Sequence, residues 1–470
     1  MSRLVVVSNR VATPKAAQAG GLASAMLAAL SEVGGLWFGW SGKAVAGDPG
    51  PPKEETDGRI TFLTTDLSKT DFEDYYNGFA NRSLWPLLHF RPDLVDYSKQ
   101  NYQGYQRVNR HFARTLAPHL RDGDTIWVQD FHLIPLAGLL REMGIAGRMG
   151  FFLHTPLPPP DIMRVLPGHR ALMDALTEYD LVGLHTNAYV RAFVNYQRDL
   201  AGGQKLPDGW VRTGSGRLVR VLALPISVDP DAIASQAAKA VNNPSVKRLR
   251  AGLTAEDRIR LAVGVDRLDY SKGLPERFEA FGRFLDRSPQ HRGLVSLLQI
   301  APTSREDVPA YIELRGQLEQ QAGAVNGRYS DPSWTPIRYV NRTYPQSTLF
   351  GFYRAACMGL VTPLRDGMNL VAKEFVAAQD PDDPGVLVLS TFAGAADEMD
   401  EAVFINPYDI DGMADAMARA LDMDLPERRR RWSALMARLK RWDITTWRRA
   451  FLAALEEPPS PEVLRSTGVM

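Results

Sequence analysis

The chain has 470 residues, of which 45% are hydrophobic and 23% are charged, as in an ordinary globular protein. Its 55 lysines and arginines nearly balance its 54 aspartates and glutamates, which excludes the basic surface expected of a nucleic-acid or anionic-membrane binder. A chain of this length is too long for one ordinary core and predicts two domains.

The N-terminus and the cysteine content bear on the location of the protein. Met1 to Arg3 lead directly into an apolar segment without the hydrophobic region of a signal peptide, and no apolar run approaches membrane-spanning length. The single cysteine, Cys357, lies in a predicted helix without a neighbouring His, which favours a packed thiol over a catalytic one. We expect a cytoplasmic protein with no membrane segment and no nucleic-acid partner.

Short apolar runs alternate with helical segments along the chain. The predicted strands are Leu4–Val7, Thr125–Gln129, Met149–Leu153, Leu181–Leu184, Val219–Leu222, Leu261–Val265, Leu294–Ile300, Ile337–Val340, Leu360–Thr362, Val386–Leu389 and Val403–Ile405. The predicted helices are Leu22–Leu30, Tyr105–Leu116, Pro135–Met143, Thr186–Tyr196, Pro275–Arg287, Val308–Gly323, Ser347–Cys357 and Gly412–Leu421. This rhythm predicts an α/β fold with two doubly wound, Rossmann-like sheets covered on both faces.

A domain boundary is predicted in the segment 228–244, which is rich in Ala, Gln, Asn and Pro. We expect an N-terminal domain over residues 1–235, a C-terminal domain over 236–445, and a last segment, 446–470, that returns as a helix to the first domain. Ligands of such folds bind beyond the carboxyl ends of the strands, so the expected site is a cleft between two facing sheets.

The first predicted strand ends in Ser8-Asn9-Arg10, and Gly20 and Gly21 open the helix that follows. Glycines at a helix start let the backbone approach an anion or a sugar closely, and Arg10 adds a cation at the strand end. An ordinary surface arginine fits the same spacing, and the sequence does not decide between the two.

Further candidates follow the next strands. Tyr76 and Trp85 could flank a sugar ring, although isolated aromatics more often belong to the core. Asp130, His132 and His154 follow adjacent strands, but no further conventional ligand stands at a fixed spacing, so we predict no metal site.

Two cations occupy the loop that follows the strand Leu261–Val265. Arg267 and Lys272 are five positions apart across a turn and could converge on one anion, such as a diphosphate leaving group. The alternative is a solvated charged loop. Arg305 ends a further strand and offers another cation.

The segment 361–374 combines a buried strand, a break at Pro363 and Gly367, and a new helix from Leu370. Unpaired amides at such a helix start suit a phosphate. Glu374 lies one turn deeper on the same face, where its carboxylate could accept hydrogen bonds from a ribose diol. An ordinary strand-to-helix connection would show the same spacing.

Long ordered segments resemble those of the trehalose-6-phosphate synthase family, retaining nucleotide-sugar glycosyltransferases of the two-domain GT-B type. The segments are SNR with AGGL, GGLWFGWSG, DYYN with LWP, FFLHTP, RLDYSKGLPERF, QIAPTSR and VTPLRDGMNLVAKE. The resemblance implies transfer of glucose from UDP-glucose, or another nucleotide-glucose, to glucose 6-phosphate. The implied products are α,α-trehalose 6-phosphate and the nucleoside diphosphate. It also implies no metal or other cofactor, and we expect a homo-oligomer, either a dimer or a tetramer.

The resemblance also implies a role for each matching residue. The implied acceptor-binding residues are Arg10, Tyr76, Trp85, Asp130 and Arg305. The implied donor-binding residues are Gly20, Gly21, His154, Arg267, Lys272, Tyr344, Asp366, Gly367, Met368, Asn369, Leu370, Val371 and Glu374. The implied catalytic residues are Arg267, Lys272, Asp130, His154 and Asp366. Retention by double displacement needs a carboxylate at the anomeric carbon. Since the family assigns Asp130 and Asp366 to sugar binding, the resemblance implies front-face departure of the diphosphate instead.

The sequence departs from the family pattern on the acceptor side. Gln129 and Phe131 stand where His and Tyr are commoner, and Thr155 and Leu157 replace the usual Ile and Phe. Two alternatives stay open. One is a glucosylglycerol-phosphate synthase that uses glycerol 3-phosphate, and the other is a catalytically silent regulatory member of the family.

Overall fold

The computed structural model describes residues 3–11, 21–254, 259–304 and 308–466. The chain divides into two compact units, the first made of Met1–Pro225 with Thr445–Met470 and the second of Ile226–Ile444. In the described part of the chain, no helix is long and apolar enough to cross a membrane.

The first unit is built on one ten-stranded sheet, as far as its described residues show. Its strands are β1 (Leu4–Arg10), β2 (Gly35–Val45), β3 (Lys53–Asp57), β4 (Ile60–Ser68), β5 (Thr125–Gln129), β6 (Arg148–Phe152), β7 (Leu181–Leu184), β8 (Gln204–Lys205), β9 (Trp210–Arg212) and β10 (Leu218–Ala223). They are ordered β3-β4-β2-β1-β5-β6-β7-β10-β9-β8. The central strands from β4 to β10 pair in parallel, while β3, β8 and β9 join the two edges antiparallel.

Helices connect these parallel strands, as parallel pairing requires. The helices of this stretch are α1 (Gly21–Val33), α2 (Lys69–Asp71), α3 (Trp85–Leu88), α4 (Lys99–Leu116), α5 (Leu136–Glu142), α6 (Pro160–Met163), α7 (His169–Leu176) and α8 (Asn187–Leu200). Between α2 and α3 the chain forms a π-helix over Phe72–Leu84. Such helices are rare and often mark functional sites.

The second unit, in its described residues, holds a six-stranded, fully parallel sheet with the order β13-β12-β11-β14-β15-β16. Its strands are β11 (Arg260–Val265), β12 (Val295–Ile300), β13 (Ile337–Val340), β14 (Met358–Val361), β15 (Val386–Ser390) and β16 (Val403–Ile405). Its helices are α9 (Pro230–Ala240), α10 (Pro244–Thr254), α11 (Leu274–Arg287), α12 (Pro309–Tyr329), α13 (Gln346–Ala355), α14 (Leu370–Ala378), α15 (Ile410–Asp422) and α16 (Leu425–Arg441). The predicted α/β fold with two doubly wound sheets is confirmed.

The last described helices are α17 (Ile444–Glu456) and α18 (Pro461–Ser466). Trp447 and Phe451 of α17 pack on the first sheet, where their ring centroids lie 5.2 and 4.5 Å from that of Trp127 on β5. Gly150 and Gly183, on β6 and β7, leave room for this helix, because a Cβ at either would lie within 2.9 Å of the Phe451 ring. A late segment of the chain therefore completes the core of the first unit.

The prediction that Cys357 lies in a helix is wrong. Helix α13 ends at Ala355, and Cys357 lies in a bend before β14, because its backbone N–H and carbonyl pair with Leu261 and Val386. Its thiol donates to the carbonyl of Leu261 at 3.3 Å. Burial raises the pKa of this thiol to about 11, which is expected of an unreactive packed cysteine.

Candidate functional site

Arg10, the last residue of β1, presents an exposed guanidinium at the carboxyl edge of the first sheet. Its Cζ lies 6.0 Å from the ring centroid of Trp40 on β2. Gly42 supplies the space for the guanidinium, because a Cβ there would lie 2.7 Å from Nε of Arg10. Gly42 also has a φ of +91°, which glycine adopts without strain. The structure thus holds Arg10 in a defined, solvent-facing place.

Tyr76 belongs to a cluster of aromatic rings that includes Trp40, the ring that also lies near Arg10. The π-helix carries Phe72 and Tyr76, whose ring centroids are 5.6 Å apart. The Tyr76 ring also lies 5.7 Å from Trp40 and stacks on His132 at 6.0 Å. Because Tyr76 stays half-buried in this cluster, its ring is rigidly placed and still reachable by a ligand.

Trp85 is mostly a packing residue in this structure. It begins α3, and only 8% of its surface is exposed. Its ring centroid lies 4.0 Å from that of His89 and 5.9 Å from that of Phe131. Of the two aromatic candidates, Tyr76 therefore presents more surface than Trp85.

Asp130 directly follows β5 and has a strained backbone. Its φ of +73° and ψ of 164° lie in a region that is almost reserved for glycine. The backbone N–H of Asp130 donates to the carbonyl of Phe152 at 2.8 Å, and Oδ1 accepts from the backbone N–H of His154 at 3.2 Å. These contacts hold the carboxylate at the carboxyl edge of the sheet, where strain commonly accompanies function.

His154 follows β6, the strand next to β5 in the sheet. Its ring Nε2 lies 2.9 Å from Oε1 of Gln129, and its carbonyl lies 3.2 Å from Nε2 of His185. Burial lowers the pKa of His154 to about 3. The ring is therefore neutral at physiological pH and can exchange hydrogen bonds without carrying charge.

In the second unit, Lys272 and Asp366 meet although 94 positions separate them. Nζ of Lys272 lies 2.5 Å from Oδ2 of Asp366, and the same oxygen accepts from Nδ2 of Asn369 at 3.0 Å. Each side chain of the ion pair is about one-eighth exposed. The loops after β11 and β14 thus present one cation, one carboxylate and one amide together.

Arg267 is more exposed than Lys272. Its side chain is 45% exposed and its Nη2 lies 3.5 Å from Oδ2 of Asp269, which is fully buried. Asp269 in turn accepts hydrogen bonds from the backbone N–H and the hydroxyl of Ser271 at 3.0 and 2.9 Å. Hydrogen bonds within the loop therefore stabilise it, while the guanidinium of Arg267 faces solvent.

Helix α14 begins after Asn369, which has a left-handed φ of +73°. Gly367 and Met368 lie in the preceding loop, and Leu370 and Val371 are the first helical residues, whose N–H groups have no partner within the helix. One turn later, burial raises the pKa of Glu374 to about 7, although Nε2 of Gln346 donates to its Oε1 at 3.3 Å. Glu374 as a whole residue is only 9% exposed.

Arg277 was not predicted from the sequence. This fully buried guanidinium on α11 donates to Asp266 at 2.8 Å, to Oε1 of Gln299 at 2.7 Å and to Thr362 at 2.9 Å. These partners stand at the carboxyl ends of β11, β12 and β14, so one side chain joins the starts of three loops. Gly264 makes room for it, since a Cβ there would clash with Nη1 of Arg277. Gly264 is the feature of the sequence that could have indicated this buried arginine.

The other residues predicted for the site do not lie together in one of the clusters described above. Gly21 begins α1. Tyr344 follows β13, and its hydroxyl accepts from Nη2 of Arg342 at 2.7 Å while its ring lies 5.3 Å from that of Phe352. Gly20 and Arg305 lie outside the described residues. Among the side chains that are described, no three His, Cys, Asp or Glu residues are grouped as they would be to hold a metal ion.

Comparison with known proteins places these residues in a family. The model of glycosyltransferase family 20 matches residues 3–457. A trehalose-6-phosphate synthase of Sinorhizobium fredii is 50% identical over 457 residues, covering 96% of this chain and 98% of the relative. A trehalose-6-phosphate synthase of an Enterobacter species is 46% identical over 460 residues, covering 97% and 95%.

Solved structures agree with the sequence relatives. A UDP-forming α,α-trehalose-phosphate synthase from Burkholderia xenovorans, in complex with glucose 6-phosphate, has a TM-score of 0.94 and 48% identity, with 97% of this chain and 100% of that chain covered. The E. coli protein bound with UDP-2-fluoro glucose has a TM-score of 0.93 and 45% identity, with 98% and 100% covered.

Proposed function

Since the chain belongs to glycosyltransferase family 20, we propose that it transfers glucose from UDP-glucose to glucose 6-phosphate, forming α,α-trehalose 6-phosphate and UDP. The observation that carries this proposal is the full-length likeness to a synthase in complex with glucose 6-phosphate, at a TM-score of 0.94 and 48% identity. The likeness to a relative bound with UDP-2-fluoro glucose supports the donor.

The acceptor-binding residues of this proposal come from the first unit, apart from Arg305, which belongs to the second. Arg10 and Arg305 bind the phosphate of glucose 6-phosphate, while Tyr76, Trp85 and Asp130 contact the sugar. The exposed guanidinium of Arg10 and the half-buried ring of Tyr76, which both lie near Trp40, support this assignment. A guanidinium is well suited to a phosphate, because its planar donors match two phosphate oxygens.

The second unit supplies the donor site. Arg267 and Lys272 bind the diphosphate, with the N–H groups of Leu370 and Val371 at the start of α14, where the helix dipole favours an anion. The residues proposed for the glucose hydroxyls are Asp366, Gly367, Met368 and Asn369. Glu374 binds the ribose and Tyr344 lies beside the base. The meeting of Lys272, Asp366 and Asn369 around one oxygen supports this grouping.

The proposed chemistry is a metal-independent, front-face substitution. The bond between the anomeric carbon and the diphosphate breaks, and the anomeric oxygen of the acceptor forms the new bond on the same face. The acceptor's proton passes to the departing phosphate oxygen. Arg267 and Lys272 stabilise the charge that develops on the diphosphate. His154 contacts the transferred glucose near its C6 hydroxyl. A homo-oligomer and a cytoplasmic location stay predictions from the sequence.

One assay tests the substrates, the metal requirement and the stereochemistry together. Purified protein in EDTA is given UDP-, GDP- or ADP-glucose with glucose 6-phosphate or glycerol 3-phosphate, and the product is read by NMR. We expect an α,α-linked disaccharide phosphate from UDP-glucose and glucose 6-phosphate. Product formed only from glycerol 3-phosphate would identify a glucosylglycerol-phosphate synthase, and the absence of product and of donor binding would identify a silent protein.

A further inference from the structure

Two consecutive residues at the end of β5 hold His154 by different atoms. Oε1 of Gln129, which is fully buried, lies 2.9 Å from Nε2 of the His154 ring. Oδ1 of Asp130 accepts from the backbone N–H of His154 at 3.2 Å. The ring and the main chain of His154 are therefore fixed from the neighbouring strand.

The hydrogen bond to Gln129 determines where the ring of His154 carries its hydrogen. An amide oxygen can only accept, so Nε2 of the ring must donate. A neutral imidazole has one N–H group, which leaves the lone pair on Nδ1. The ring stays neutral because burial lowers its pKa to about 3. Nδ1 is then an acceptor, able to bind a hydroxyl.

We infer that Gln129 is a positioning residue that keeps His154 in the Nε2–H tautomer, so that Nδ1 accepts a hydrogen bond from a hydroxyl of the transferred glucose. This inference rests on the proposed function, in which His154 contacts that sugar. Gln129 itself contacts no substrate in this proposal. It acts by fixing both the rotation and the tautomer of the ring, as the partner of a functional histidine commonly does.

The first test removes the hydrogen bond. In Gln129→Leu, kcat/KM for the donor should fall about 10-fold, which corresponds to the loss of one neutral hydrogen bond. KM for glucose 6-phosphate should change less than about 2-fold. Gln197→Leu is the matched control, because Gln197 on α8 is buried like Gln129, and Nε2 of each has no partner among the described residues. That control should keep wild-type kinetics.

The second test changes the charge of the ring. Gln129→Glu places a carboxylate beside Nε2 and raises the pKa of His154, and a protonated ring has no lone pair on Nδ1. The pKa of the wild-type ring is about 3, and one opposite charge raises a pKa by about 1–3, so the ratio of the variant's kcat/KM to the wild-type value should rise between about pH 4 and 7. The other titratable groups in contact with His154 are Asp130 and His185, which both proteins share, so the ratio isolates the new carboxylate.

Nitrogen NMR of the histidine rings completes the design. We expect the wild type to show His154 as the neutral Nε2–H tautomer. The inference is overturned if His154 is the Nδ1–H tautomer, if Gln129→Leu has wild-type kinetics, or if the Gln129→Glu ratio is flat with pH. Failure of the proposed function is separate, because it would show as an inactive wild type, and the NMR result would still decide the tautomer.

Discussion

Nζ of Lys272 and Oδ2 of Asp366 lie 2.5 Å apart, so a single ion pair joins the loops that follow β11 and β14. Removing the cation leaves the diphosphate with less stabilisation as its charge develops. We expect Lys272→Ala to lower kcat about 10²–10³-fold at saturating donor, the loss typical of one charge-stabilising donor. Lys247→Ala, at an exposed position on α10, should leave kcat unchanged. Unchanged turnover in folded Lys272→Ala would refute the assignment.

Glu374 should make donor binding depend on pH. Its pKa is raised to about 7, so the carboxylate that accepts from the ribose diol becomes protonated as the pH falls. We expect KM for UDP-glucose to rise from pH 8 to pH 6, measured by initial rates. Glu374→Gln should have a high KM that does not vary with pH. The same pH dependence in Glu374→Gln would assign the effect to another group.

The same carboxyl should destabilise the fold at high pH. Between the usual pKa of 4.5 and about 7 the folded state keeps a proton that the unfolded state releases, so the free energy of unfolding falls as the pH rises. At about 1.4 kcal/mol per pKa unit the loss reaches about 3 kcal/mol. Glu374→Gln should therefore raise Tm at pH 8 more than at pH 4.5. An equal Tm difference at both pH values would contradict this.

Gly42 should affect the binding of the acceptor, because it leaves space for the side chain of Arg10. A Cβ at this position would lie 2.7 Å from Nε of Arg10, so Gly42→Ala should displace the guanidinium and raise KM for glucose 6-phosphate about 10-fold, with donor KM unchanged. Gly47→Ala is the control, since Gly47 has a similar φ of +87° but nothing within 4 Å of its Cβ position. Equal effects of both changes would show that backbone strain alone is responsible.

Gly264 should be essential for stability. A Cβ there would clash with Nη1 of Arg277 and lie 2.5 Å from Oε1 of Gln299. We expect Gly264→Ala to cost about 3 kcal/mol in the free energy of unfolding by urea, near the upper end for overpacking a core. Gly323→Ala, on α12 with open space around it, should stabilise by up to about 1 kcal/mol. A neutral Gly264→Ala would mean that Arg277 tolerates displacement.

The strained backbone of Asp130 should lower the stability of the fold, while its carboxylate is needed for activity. Glycine adopts the φ of +73° and ψ of 164° freely, whereas alanine keeps the strain and loses the carboxylate. We expect both Asp130→Gly and Asp130→Ala to lose most activity. The glycine variant should be about 1 kcal/mol more stable than the alanine variant, after allowing for the greater unfolded-state entropy of glycine. The comparison needs only two urea titrations, and a glycine variant less stable than the alanine variant by about 0.5–1 kcal/mol would mean that the backbone is unstrained.

The sequence predicted several buried strands well but missed β2 and β4, which are also largely buried. Four predicted strands, β5, β7, β13 and β16, match the structure residue for residue. The edge strand β3 was missed, because Lys53–Asp57 is fully exposed, has no apolar alternation and forms by pairing with β4. The π-helix was also missed, since no local pattern distinguishes it from ordinary helical turns.

The site could be predicted only one residue at a time. The motifs identified Lys272 and Asp366 separately, but their ion pair depends on β11 and β14 being neighbours in the sheet. The bond between Gln129 and His154 likewise depends on the pairing of β5 with β6. Arg277 lies in a helix rich in charge, and the glycine that makes room for it, Gly264, lies on the separate strand β11. Such pairings follow from tertiary packing, which spacing along the chain does not encode.

The position of α17 has a consequence for biosynthesis. Trp447 and Phe451 fill space beneath β5, β6 and β7, yet the whole of residues 226–444 is translated before them. The second unit can therefore leave the ribosome complete while the first, although translated earlier, still exposes an unfilled apolar face. The usual order of N-terminal folding before C-terminal folding is thus reversed for the final step of this nascent chain.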